Sequence, residues 1–173
     1  MPLHAMHTMK DLLVTQLNEL HAAEKHCSTL LTSLADHASD RALAELLRSH
    51  GSETQEHVAR LDSVFRELGL KPHAARAETA CMKGLARDCL ELAKAPRTEP
   101  HVRDAAIIAG VQHIEHDEIA GYGCARTWAQ LLGFQGAAGK LQLTLDEERR
   151  ADVDLSRIAQ QVNRKAMSAA TAV

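Results

Sequence analysis

Leu12, Leu13, Leu17, Leu20, Ala23, Cys27, Leu30, Leu31 and Leu34 recur at steps of three and four. That spacing places them on one stripe of a helix and predicts a long amphipathic element over 8–36. Asp36 to Asp40 then offers turn and N-cap side chains, and Leu43, Leu46, Leu47, Val58, Leu61, Val64, Phe65 and Leu68 repeat the stripe over 40–68, closed by Gly69 and Pro72. The pattern weakens through a crossover at 69–98, where a short helical piece around Ala80–Lys94 precedes a break at Pro96 and Pro100. Ala105, Ile107, Ile108, Val111, Ile114, Ile119, Tyr122, Ala125 and Leu132 resume it over 99–132, and Gly133 stops it. Leu141, Leu145, Leu155, Ile158 and Val162 carry a last helix over 136–166, beyond which the tail is expected to fray.

Short connections force antiparallel neighbours, so the pattern predicts an all-α four-helix bundle of two antiparallel hairpins, joined by a long crossover that carries a short helix. Composition agrees, because the 173 residues are 2% aromatic and rich in Leu, Ala, Glu, Lys and Arg, which suits helices and leaves little for a sheet. That length is one domain, taken here as 1–173. A net charge of −3 with interspersed signs gives no basic stripe for nucleic acid, and no apolar run is long enough for a membrane. The N-terminal stretch MPLHAMHTMK, with His4 and His7 in an end expected to be mobile, does not read as a secretory signal, so the expected location is the cytoplasm. Cys27, Cys81, Cys89 and Cys124 form no CxxC pair and are expected to be free.

What interrupts the stripes carries the chemistry. Glu24 lies four after Leu20 and seven before Leu31, so it projects from the apolar face. Glu53 sits seven after Leu46, with His50 three before it and His57 four after it. Glu115 and Glu118 occupy one turn of the third stripe, and Glu148 with Asp152 occupies the fourth. Glu24 and Glu53 each lie about 15 residues, roughly 22 Å, from the Ala38-Ser39 turn, and Glu118 and Glu148 stand in the same relation to Gly133. Every long helix therefore holds an acid at mid-height. Burying unpaired carboxylates costs several kcal/mol each, with too few inward Lys or Arg to neutralise them, and a bound cation resolves the problem. Oxygen-rich ligation with one or two imidazoles suits Fe or Mn, and this many carboxylates can bridge two ions, so a dinuclear centre is expected, with Fe preferred. The expected ligands are Glu24, Glu53, His57, Glu115, Glu118, Glu148 and Asp152, converging in one cluster. His50, Glu56, His116 and Tyr122 are expected either as further ligands or as hydrogen-bond partners, with Tyr122 placing its hydroxyl on a carboxylate.

The stretches Leu20–Lys25, His50–Leu61, Gln112–Tyr122 and Thr144–Asp152 together resemble the YciF-like (DUF892) branch of the ferritin-like superfamily, from about Met9 to Ala166. The resemblance implies a ferritin-like four-helix bundle with a non-haem di-iron or related centre, a bacterial stress setting and homodimers. The superfamily spacing of Glu and His, three residues apart, leaves Glu56 and His57 both open as ligands after Glu53, and it meets Asp152 where a histidine is usual. The family's frequent tyrosine near the first glutamate is His21 here.

A redox-active pair of ions with open positions suits O2 or peroxide chemistry of the oxidase, peroxidase or catalase kind. The competing expectations are a non-catalytic stress or interaction protein with a structural metal, and iron sequestration. Leu13, Leu30 and Leu47 look surplus to one inward stripe and suggest a dimer through the outer faces of the first hairpin. Glu53→Gln or Glu148→Gln is expected to leave the metal-free protein at least as stable, because each removes repulsion without making a cavity.

Overall fold

Thr8 opens the first helix with a capping box, its hydroxyl accepting from Asp11 N while the Asp11 carboxylate accepts from Thr8 N. The computed structural model describes residues 6–73 and 80–170, which form α1 (Met9–Ala35), α2 (Arg41–Glu67), α3 (Ala80–Lys94), α4 (Pro100–Leu131) and α5 (Gln135–Ala170). Both hairpins, α1 with α2 and α4 with α5, pack tightly, α2 lies along α5, and α1 lies along α4. The crossover helix α3 rests on α4 and α1, at the place where the weakened pattern put it.

α2 and the α4–α5 turn use the same ending. Gly69 and Gly133 adopt φ of 70° and 84°, a left-handed conformation that glycine takes without a Cβ clash. In each case the next residue's N–H reaches back to the helix, Leu70 to the Phe65 carbonyl at 2.8 Å and Phe134 to the Ala129 carbonyl at 2.9 Å. The α1–α2 turn is held differently. Asp104 on α4 is fully buried and accepts from Ser39 N at 2.7 Å and Asp40 N at 2.8 Å, tying the first hairpin to the second.

The apolar interior is divided in two. Leu30, Leu31, Leu34, Leu43, Leu47 and Ile107 belong to a core towards the α1–α2 turn. Leu13, Leu17, Leu61, Phe65, Leu141 and Leu145 belong to another towards the α4–α5 turn. Each buried leucine contributes roughly 1.5–3 kcal/mol, so both ends are anchored independently of what lies between them. Between them lies a layer of buried Glu and His.

Two expectations need correction. Leu13, Leu30 and Leu47 are at most 4% exposed, so they fill this chain's own core and supply no outer face for a dimer. The last helix continues to Ala170 rather than ending at 166. Cys27 and Cys89 are buried, Cys81 and Cys124 exposed, and all four are free. His4 and the 74–79 part of the crossover lie outside the described residues. No described helix is long and apolar enough to cross a membrane.

Candidate metal centre

Glu148 of α5 stands at the middle of the polar layer. Its Oε1 lies 2.9 Å from His57 Nδ1 and its Oε2 lies 3.3 Å from His50 Nε2, so one carboxylate joins two imidazoles that are two turns apart on α2. On the His57 side, Glu24 Oε1 from α1 is 3.4 Å from the same Nδ1 and also accepts from the Tyr122 hydroxyl. On the His50 side, Glu115 Oε1 from α4 is 3.1 Å from Nε2. Glu24, His57 and Glu148 thus make one buried triad, and His50, Glu115 and Glu148 a second that shares Glu148. A third group, Glu53, His57 and Glu147, lies nearer the surface. In each, the potential ligand atoms fall within 4.8 Å of one another.

Helix phase explains the convergence. His50, Glu53 and His57 are spaced by three and four, so they occupy successive turns of the α2 face that also presents Leu47 and Leu61 to the two cores. Glu115 and Glu118 do the same on α4, between Val111 and Tyr122.

The layer is rich in oxygen and short of donors. Glu24 Oε2, Glu115 Oε2, Glu118 Oε1 and both oxygens of Glu148 are buried without a well-directed hydrogen bond, as is His57 Nδ1. Buried polar groups are ordinarily satisfied, so this excess of acceptor oxygens is an arrangement that could hold a cation, and carboxylates with imidazoles are a donor set compatible with Fe or Mn. Without a cation the layer neutralises itself. Burial, then the charge of Glu148, raises the Glu24 carboxyl. Burial with repulsion from Glu24, Glu148 and Glu115 lifts Glu118 well above the carboxylate range. Burial pushes Glu115 up to about 8, against the opposing pull of His50. The imidazoles move the other way from ordinary burial. Glu148 and Glu24 outweigh desolvation and raise His57 to about 10, while Glu115 and Glu148 raise His50 well above its usual value. Glu148, although buried, is held well below the carboxylate range by the close approach of both histidines. Among the fully buried carboxyls Glu148 is therefore the one whose charged form is favoured, and it faces two imidazoles whose charged forms are favoured in turn.

The structure places Glu24, His50, His57, Glu115 and Glu148 in the buried triads, with Glu118 beside them at 2% exposure. Glu53 sits at the edge, its side chain 32% exposed, with His50 Nδ1 at 3.4 Å. Tyr122 is fully buried with its hydroxyl on Glu24, the use the sequence suggested. Of the two candidates after Glu53, His57 is inside and Glu56 is exposed. Asp152 is turned aside and belongs to none of the three groups. It accepts from Gln112 Nε2 at 2.8 Å, with His116 Nε2 at 3.4 Å, and His116 is itself 68% exposed. His21 bonds Asp62 at 3.0 Å and stands edge-on to Phe65, away from the triads.

Sequence reasoning missed Glu147. It receives His57 Nε2 at 3.1 Å and is gripped by Arg60, whose guanidinium also donates to Thr144 Oγ1 at 2.6 Å. The available signal was weak, a second acid beside Glu148 and an arginine one turn beyond His57.

Two helical hairpins joined by a crossover, with carboxylates and imidazoles gathered at mid-height, define a ferritin-like bundle. A ferritin-like, diiron-carboxylate protein from Bacillus anthracis shares that fold, with a TM-score of 0.68 at 18% identity, covering 89% of this chain and 99% of that one. The chain belongs to the family described as Domain of unknown function (DUF892), which matches residues 8–168. Protein YciF of Escherichia coli K12 is 36% identical over 163 residues, 93% of this chain and 96% of that protein. The crystal structure of this E. coli stress protein superposes with a TM-score of 0.87, covering 92% of this chain and 99% of that one at 34% identity. YcfI from Rhodopseudomonas palustris gives 0.81 at 35% identity, with 90% and 98% covered.

Proposed function

We propose that the buried layer holds two ions, Fe before Mn, and that the protein carries out stress-related chemistry on O2 or peroxide. The observation that carries this reading is the excess of buried carboxylate oxygens over the donors that face them, gathered around Glu148 in two triads that share it. Glu24 and His57 would hold one ion, His50 and Glu115 the other, with Glu148 between them and Glu118 within reach. A metal pair so held supplies one-electron steps and an open position for O2 or peroxide. The chain's own contribution is placement. The Tyr122 hydroxyl fixes the Glu24 carboxylate, and Glu147, itself gripped by Arg60, orients the His57 ring. The apolar cores on either side exclude bulk water and keep the layer's electrostatics strong.

A non-catalytic reading has one observation in its favour: His50 and His57 already pair closely with Glu115, Glu148 and Glu147, so the layer can close as an ion-pair core. Metal analysis of the protein as isolated, followed by anaerobic Fe(II) loading and exposure to O2 or peroxide, separates the two. Two ions per chain with consumption of either oxidant supports the proposal. A protein that binds no metal, or binds it and consumes neither oxidant, refutes it.

A further inference from the structure

Cys27 borders the buried layer, and the chemistry proposed above does not use it. It lies three residues after Glu24, one turn further along the buried face of α1, a helix that lies along α4, and it is 2% exposed. On one side it belongs to the apolar core with Leu30, Leu31 and Ile114. On the other its thiol stands beside Glu118, with Glu24 and Glu115 close enough to act on it. Glu118 is itself 2% exposed, and its Oε1 is buried without a hydrogen-bond partner. Buried acceptors are ordinarily satisfied, so an open carboxylate oxygen beside a thiol points to a ligand on that side of the layer.

Cys89 supplies the contrast. It is 1% exposed and belongs to the same core, but its Sγ rests on the Ile107 carbonyl at 3.9 Å, and no carboxylate among the described residues acts on its thiol. Two thiols buried alike in one core therefore differ in the carboxylates beside one of them. Neither is open to a reagent dissolved in bulk water, whereas Cys81 and Cys124 are exposed.

We infer that Cys27 is oxidised to a sulfenic acid by peroxide held in the layer, so that the chain carries an internal thiol substrate for its own centre. Thiol and hydrogen peroxide give sulfenic acid and water. The S–H and O–O bonds break, an S–O bond forms, the sulfur loses two electrons and the peroxide oxygens gain them. Glu118 is placed to take the thiol proton and return it to the departing hydroxide. This rests on the proposed metal centre, which would hold peroxide at a thiol that bulk solvent does not reach, and adds a substrate that is part of the protein. Dissolved thiols do not reach the product either, so the modification persists in the folded chain.

The test loads chelator-dialysed full-length protein with Fe(II) anaerobically, removes unbound iron by gel filtration and adds hydrogen peroxide, with a metal-free sample in parallel. Catalase then removes residual peroxide, and the protein is denatured in dimedone, which captures sulfenic acid. Peptide mass spectrometry reads the adduct and any sulfinic acid at each cysteine. Cys27 is expected to be modified about tenfold more in the loaded protein than in the metal-free one, while Cys89 stays reduced in both. The exposed Cys81 and Cys124 gauge reaction with bulk peroxide. Loaded protein that consumes peroxide while Cys27 stays as reduced as Cys89 overturns the inference and leaves the centre standing. Equal oxidation of Cys27 and Cys89 overturns it as diffuse radical damage. Modification of Cys27 to the same extent in both samples overturns it because bulk peroxide then reaches the thiol. A protein that takes up iron but consumes no peroxide overturns the inference, and one that takes up no iron overturns the centre with it.

Discussion

Glu115→Gln in the metal-free protein is expected to stabilise the bundle at neutral pH and to destroy part of its metal capacity. Glu115 is 1% exposed, and burial raises its carboxyl from an ordinary value of 4.5 to about 8. At pH 7 the unfolded chain carries it ionised and the folded protein carries it protonated, so folding must take up a proton there. The penalty is absent below pH 4.5, grows as the pH rises towards 8, and is constant above that. At about 1.4 kcal/mol per unit, the interval from 4.5 to 7 corresponds to about 3 kcal/mol. Glutamine has nothing to protonate and keeps the volume. Its carbonyl can accept from His50 Nε2, now 3.1 Å from Glu115 Oε1, and its amide can donate to Glu148. Urea denaturation followed by circular dichroism, on chelator-dialysed proteins from pH 4.5 to 8, should show the variant about 3 kcal/mol more stable at pH 7, with the gap closing near pH 4.5. For a chain of this size that corresponds to roughly 6–12 °C in Tm. Saturating metal should reverse the order, because only the wild type gains fully from binding. A variant less stable than wild type at pH 7 without metal, or a gap independent of pH, would refute the reasoning.

Glu148→Gln should behave in the opposite way, correcting the expectation drawn from sequence. Glu148 is the partner of both His50 and His57, and removing its charge strands two imidazolium rings, a loss of about 3–5 kcal/mol in metal-free urea melts. His57, raised to about 10, contributes pairing stability that is complete below pH 6.5 and fades as the pH climbs to 10. Thermal melts of metal-free protein across that window should show the decline, and His57→Gln should flatten it. Gly110→Ala should destabilise by about 1–3 kcal/mol, because its Cβ would fall 2.5 Å from Cys89 Sγ where α3 packs on α4. Cys89→Ala in the same chain should recover only part of that in thermal melts, because Cys89 Cβ, 2.8 Å from the added methyl, remains, whereas Cys89→Gly removes both close contacts. A homodimer, proposed from the family resemblance, predicts twice the 18.9 kDa chain mass in sedimentation at micromolar concentration, and a monomer at every concentration would refute it.

Local periodicity was enough to write down the architecture. The stripes of Leu and Ala, the breaks at Gly69, Pro100 and Gly133, and the weak piece around Ala80–Lys94 are properties of neighbouring residues, and helix geometry converts them directly into elements. The same geometry put Glu24 and Glu53, and Glu118 and Glu148, at matching depths, because equal distances from a turn fix height along a hairpin, and the buried triads form around that level. Rotation about each helix axis was not fixed so closely. Asp152 shares the turn spacing of Glu148 yet swings towards Gln112, while Glu147, one residue away, reaches His57 because Arg60 and Thr144 hold it there. Which glutamate carries the charge was equally a matter of assembly. Nothing in the sequence separates Glu148 from Glu118; only the two imidazoles facing one and the carboxylates facing the other do so. Leu13, Leu30 and Leu47 looked surplus to a single stripe, but each helix meets more than one neighbour, so a wider apolar face is buried than a one-stripe count allows. Phase along a helix is a one-dimensional property that sequence specifies; contact between helices depends on long-range packing and charge, which only the folded chain decides.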